Sequence, residues 1–140
     1  MDASEARSRF AGARVARLAT ADADGRPHLV PVVFALARNT LYTAVDDVKP
    51  KATTRLKRLA NIAANPSVAL LADHYDDDWS ALWWVRADGT ARLLEPADEE
   101  AARARALLAE RYPQYRHAPP PGVAIAVDVE RWSGWAASGG

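Results

Sequence analysis

Cysteine is absent from the 140 residues, which excludes disulfides, thiolate metal sites and thiol nucleophiles. Net charge is absent as well, since 18 Lys and Arg balance 18 Asp and Glu. A chain without global basicity is not expected to bind nucleic acid or a membrane surface through bulk charge. No apolar run approaches the ~20 residues of a membrane-spanning helix. The opening MDASEARSRF carries acids and no apolar centre, unlike a signal peptide. A soluble, cytoplasmic protein is therefore expected. Histidine is limited to the scattered His28, His74 and His117. The stretch DHYDDDW sets Asp73, Asp76, Asp77 and Asp78 around His74, but it lacks the glycine and terminal glutamate of a calcium loop, so no metal is expected. A serine nucleophile elbow, a Walker loop and a dinucleotide fingerprint are all missing. Any redox chemistry would then fall to a bound cofactor.

What is present is enough apolar residue, 49% of the chain, to build a core. The length suits one domain over residues 1–140. MDASEARSRFAGA reads as a helix capped by Asp2 or Ser4. RVARLATAD alternates as a half-exposed strand, and Asp24-Gly25 is a hairpin signal. HLVPVVFALA is the return strand, Arg38-Asn39 a turn and TLYTAVD a third strand. A basic helix ends at Asn65-Pro66. SVALLADHY is a strand, ALWWVRADGTARLLE a hairpin turning at Asp88-Gly89, PADEEAARARALLAERY a helix and VAIAVDVERWSGW the last strand. Tight hairpins imply antiparallel pairing, and about six strands with few helices predict a small closed or nearly closed barrel.

Two local concentrations stand out. KPKATTRLKRLANIAANP holds every lysine, Lys49, Lys51 and Lys57, with Arg55 and Arg58 among them. Cations are badly placed at a helix N-terminus. An anion there, met by free N–H groups, the Thr53 and Thr54 hydroxyls and the cations, would reverse that term. A solvated basic face opposite Leu56, Leu59 and Ile62 is the alternative reading. The five tryptophans, Trp79, Trp83, Trp84, Trp132 and Trp135, all lie in the second half. Adjacent Trp83 and Trp84 must point to opposite faces of a strand. One can enter the core, and the other needs a partner chain or a flat ligand unless both are packing residues.

VARLATADADGRPHLVPVVFALARNTLYTAVD, the basic run into NPSVALLAD, and WWVRADGTARLLE together resemble the pyridoxamine 5'-phosphate oxidase-like split β-barrel family. KPKATTRLKRLANIAANP with DHYDDDWSALWWVRADGTA resembles, more narrowly, its coenzyme F420-dependent oxidoreductase branch of actinobacteria. The resemblance runs from about Arg14 to Trp135. It implies a mainly β fold with flanking helices, a six-stranded antiparallel split β-barrel of the FMN-binding type. It implies a homodimer with cofactor sites at the interface, and hydride transfer from reduced deazaflavin coenzyme F420 to a small organic substrate. FMN is the alternative cofactor, and a non-catalytic flavin or deazaflavin carrier is the alternative role. The implied cofactor-binding residues are Arg58 and Lys57 at the phosphate, with Lys51, Thr53 and Thr54 in the loop closing over it. Pro31, Val32 and Val33 are implied at the ring edge, Tyr42 and Thr43 on the third strand, Trp84 from the partner subunit and Trp132 near the C-terminus. Two features of pyridoxamine phosphate oxidases are missing. Val30 stands in the region of their strand arginine, which favours a deazaflavin over FMN, and RWSGWAASGG replaces their C-terminal arginine-and-histidine substrate motif. No proton donor is identified; Tyr75, His74 and water are the candidates.

Overall fold

Alternating burial marks each strand as one wall of a two-faced sheet. In β1 (Ala16–Ala21), Ala16, Leu18 and Thr20 are buried while Arg17 is exposed. The same alternation in β5 (Ser67–His74) buries Val68, Leu70 and Ala72. The computed structural model describes residues 1–45 and 53–138, with the backbone alone for residues 53–56. The remaining strands are β2 (Pro27–Val32), β3 (Ala35–Ala37), β4 (Thr40–Ala44), β6 (Trp83–Leu94) and β7 (Ala124–Ala136). The helices are α1 (Ala3–Gly12), α2 (Thr53–Ala64), α3 (Glu99–Arg111) and the short α4 (Pro113–His117), with a 3-10 turn at Trp79–Ala81.

The strands form one antiparallel sheet in the order β2-β1-β5-β6-β7-β4-β3. Strands β2 and β3 stand at opposite ends of that order, yet only Val33 and Phe34 separate them in the chain. So short a link spans on the order of 10 Å, so the sheet must curl until its two ends meet at that point. The result is a split barrel with a seam at Val33–Phe34. Its interior is filled by Leu18, Val32, Phe34, Leu41, Leu70, Val85, Ile125 and Val127. Phe10 of α1 and Ile62 of α2 join the same cluster. Phe10 meets the ring of Phe34 edge-on at 4.9 Å. Helix α3 covers the outer side of β4 and β7, seating Ala101 and Ala104 against Tyr42, Leu94, Ala124 and Ala126.

The local signals hold. Asp2 caps α1 by accepting from the Glu5 N–H at 2.8 Å. Gly25 turns the β1–β2 hairpin with a φ of 83°, the left-handed region glycine enters without strain. Two expectations are corrected. Among the described residues the sheet has seven strands rather than six, and HLVPVVFALA is broken at the seam into β2 and β3. ALWWVRADGTARLLE contains no hairpin, since β6 runs through Asp88-Gly89 and pairs with β7 along its whole length. A register shift falls between Asp88 and Gly89. A Cβ on Gly89 would collide with the Asp128 carbonyl oxygen. The glycine therefore serves a close strand approach at a bulge, the second use of a strand glycine.

Candidate functional site

The seam lacks the ladder that holds the rest of the described sheet, and a cavity of about 240 Å³ opens beside it. Pro31, Val32 and Val33 form one wall, Thr43 and Ala44 of β4 another, Arg58 of α2 and Tyr115 of α4 the rest. The Thr43 hydroxyl donates to the Val33 carbonyl at 2.7 Å, tying β4 to the seam. The lining thus mixes small apolar side chains with the Thr43 hydroxyl, one permanent cation, Arg58, and one phenol, Tyr115. Such a site suits a ligand with an anionic end and an apolar or planar body. Its volume is below the ~300–1,000 Å³ of complete ligand pockets.

Five of the implied residues, Pro31, Val32, Val33, Thr43 and Arg58, line this one cavity. They come from three separate elements and from a chain segment outside any strand. The others are placed elsewhere. Lys57 points toward the β1–β2 hairpin, where its Nζ lies 3.5 Å from Asp22 Oδ2. Successive helix residues are about 100° apart, so Lys57 and Arg58 leave the helix in different directions. Asp22 has its carboxyl held below the usual range, first by the Arg26 N–H, with Lys57 a smaller contributor. Tyr42 faces away from Thr43, as strand alternation requires. Its hydroxyl donates to Glu100 Oε2 at 2.7 Å under α3. Burial, then that bond, pushes the phenol up to about 12. Glu100 in turn accepts two bonds from Arg92 at 2.9 Å each, and Arg92 also reaches Asp128 at 2.7 Å. The Arg92 bond, then the Tyr42 bond, draws the Glu100 carboxyl down to about 2.

Trp132 is half-buried and packs against the core, 5.5 Å from the Phe10 ring, with its Nε1 donating to Asn39 Oδ1 at 3.0 Å. Trp83 packs on the core while Trp84 takes the outer face, 5.8 Å below the Arg86 guanidinium. Val30 packs against the core cluster. His74 stacks on Trp83 at 6.2 Å, and Tyr75 accepts from Trp79 Nε1 at 3.4 Å. Neither lines the cavity. Asp78 caps the 3-10 turn by accepting from the Ser80 N–H and hydroxyl. Among the described residues no three His, Asp or Glu side chains group as metal ligands. Lys51 lies outside the described residues, and Thr53 and Thr54 are described by backbone alone as the start of α2. Tyr115 is a lining residue that the sequence pattern does not bring forward. Its one signal is Pro113 in RYPQYRH, a proline suited to the first turn of a new helix.

A family model for pyridoxamine 5'-phosphate oxidase matches residues 3–136. The chain belongs to the pyridoxamine 5'-phosphate oxidase family. Among solved structures, a conserved hypothetical protein from Mycobacterium tuberculosis aligns with a TM-score of 0.74 at 22% identity, covering 99% of this chain and 86% of that one. A FAD-binding protein from Mesorhizobium loti aligns with a TM-score of 0.71 at 24% identity, covering 96% and 94%. HutZ, the heme storage protein from Vibrio cholerae, aligns with a TM-score of 0.72 at 17% identity, covering 97% and 95%. At these identities the likeness concerns the fold. No curated protein matches the sequence at the same significance. Among the described residues no helix is long and apolar enough to cross a membrane.

Proposed function

We propose that the chain is an oxidoreductase whose seam cavity holds the deazaflavin coenzyme F420, with hydride transfer to an electrophilic small organic substrate. The observation that carries this reading is the convergence of Pro31, Val32, Val33, Thr43 and Arg58 on one cavity. When bound, the deazaflavin supplies the hydride. The chain's own residues bind and orient it. Arg58 offers a guanidinium to a phosphate, and such charge-assisted bonds are the strong ones. Pro31, Val32 and Val33 give an apolar edge for a planar ring.

Val30, standing where related oxidases carry a strand arginine, favours the deazaflavin. FMN is the second reading, favoured by the FAD-binding relative of the same fold. Non-catalytic carriage is a third, favoured by the heme storage relative.

A homodimer belongs to the same proposal. The outer face of β2, β1, β5 and β6 exposes Leu29 at 66% and Leu71 at 37%. These two line a shallow groove with Arg17, Asp73 and Arg86. Arg17 and Asp73 pair at 3.7 Å and Arg86 and Asp88 at 2.9 Å, so the rim carries both signs and can face its own copy. Trp84 shares this face. Pro31, directly opposite Arg17 in the β1–β2 register, belongs both to this face and to the cavity. A second copy docked there completes the walls that a small cavity lacks. Light scattering tests the dimer, and a monomer at micromolar concentration contradicts it. Side-by-side titration of the purified protein with F420 and FMN tests the cofactor. Saturable F420 binding at lower concentration than FMN is expected. FMN that survives dialysis with no F420 uptake reverses the assignment.

A further inference from the structure

Among the described residues the Val33–Phe34 seam has no strand partner, yet the Phe34 N–H and both seam carbonyls are met by side chains. Tyr112, buried to 7% exposure, accepts from the Phe34 N–H at 3.2 Å. The same hydroxyl donates toward the carbonyls of Phe34 and Arg14, both at 3.0 Å. Arg111 donates to the Phe34 carbonyl at 3.0 Å and to the Ala13 carbonyl. Its guanidinium lies 4.7 Å over the Phe34 ring. Three chain segments, around residues 13, 34 and 111, are thereby joined at one corner. The Tyr112 ring also supports the cavity residue Tyr115, edge to face at 6.2 Å. Arg116 fastens α4 back on α3 through the carbonyls of Ala109 and Glu110.

We infer that Tyr112 and Arg111 are positioning residues for the cofactor site: they fix the Pro31–Val33 wall, and through Tyr115 the opposite wall, at the width the ring requires. The inference rests on the cofactor reading above. A buried backbone N–H and carbonyl outside any ladder need partners, and an ordinary strand would have drawn them from a neighbour. Here the partners come from the end of α3, so the wall's position depends on a helix that does not itself line the cavity. Arg58 is carried on α2, which supplies none of the clamp bonds named above. Ring recognition and anion anchoring thus come from different elements.

The test uses Tyr112→Phe, which keeps the ring and removes only the hydroxyl. Arg92→Met serves as a control that loosens the opposite end of α3 by breaking the Glu100 and Asp128 bonds. Three readouts are taken: amide hydrogen exchange of the free protein, affinity for F420 and for FMN, and affinity for inorganic phosphate. Tyr112→Phe is expected to speed exchange at Val33–Ala35 by roughly tenfold, the loss of about one hydrogen bond's free energy, with α2 amides unchanged. Cofactor affinity is expected to fall by about tenfold and phosphate affinity to stay within about twofold. Arg92→Met is expected to lower the unfolding midpoint without either change. Seam exchange no faster than in the wild type overturns the clamp. So does equal loss of cofactor affinity in the two variants. A wild-type chain that takes up neither cofactor overturns the cofactor reading instead, and the exchange result still decides whether the clamp exists.

Discussion

Strands β6 and β7 and the Val33–Phe34 seam join the same barrel by opposite means. β6 is paired with β7 along all 12 of its residues. Cohesion there comes from a backbone ladder, and the side chains are left to pack the interior or face outward. At the seam the ladder stops, and cohesion comes from Thr43, Arg111 and Tyr112 reaching to backbone groups of Val33 and Phe34. A ladder tolerates many side chains but leaves no room for a ligand. A seam held by a few side chains leaves an opening, and the cavity lies there.

The largest effect should come from breaking the ladder. Gly89→Val places side-chain atoms against the Asp128 carbonyl at the register shift of the β6–β7 pairing. Overpacking of this kind costs about 1–3 kcal/mol or more, read as a lower denaturant midpoint. For molecules that remain folded, F420 affinity should be unchanged, because the seam is elsewhere. A loss of affinity that exceeds the unfolded fraction would show that ladder and seam are not independent.

A smaller effect concerns the ionic network that pins α3 to the sheet. Glu100 has its carboxyl lowered to about 2 by Arg92 and Tyr42, against an ordinary value near 4.3. A depressed carboxyl adds stability that is full above the unfolded value and lost as pH falls through the folded one. Stability should therefore decline from about pH 4 toward pH 2, and Glu100→Gln should flatten that limb. Tyr42 is raised to about 12. Its contribution is full below pH ~10 and lost as pH climbs toward the folded value, so Tyr42→Phe should flatten the alkaline limb. Denaturant midpoints measured across pH check both. Parallel acid limbs for the wild type and Glu100→Gln would remove Glu100 as the cause.

Elements carried by neighbouring residues are legible in the sequence. The Asp2 cap, the Asp24-Gly25 hairpin, the end of α2 before Asn65-Pro66 and the acid-first, arginine-last α3 are all local. The break at Val33–Phe34 is not legible, because HLVPVVFALA has unbroken strand character and only the closure of distant strands interrupts it. Asp88-Gly89 misleads because the same dipeptide serves a hairpin turn and a bulge at a close strand approach. At the site, the family resemblance brings forward five residues that the fold gathers into one cavity. It also pairs Lys57 with Arg58 and Tyr42 with Thr43. Helix and strand geometry separates each of those pairs. Trp132, expected beside the cofactor, packs on Phe10. Tyr115 carries no strong local signal because α4 is one short turn whose place depends on Tyr112 and Arg116.

The smallest effect is expected at Lys57. Its Nζ meets Asp22 in a half-exposed pair, and such pairs contribute about 0–1 kcal/mol. Lys57→Ala should move the unfolding midpoint little.

That variant also gives the sharpest control for the central claim, that the seam cavity anchors an anionic cofactor through Arg58. The decisive measurement is the F420 affinity of the wild type, Arg58→Ala and Lys57→Ala under one buffer and salt condition. A lost charge-assisted bond is worth ~1.5–3 kcal/mol, so Arg58→Ala should bind roughly tenfold to a hundredfold more weakly. Lys57→Ala should stay within about twofold of the wild type. Equal affinities for the two variants, or a loss confined to Lys57→Ala, would contradict the account and return the basic run to a solvated helix face.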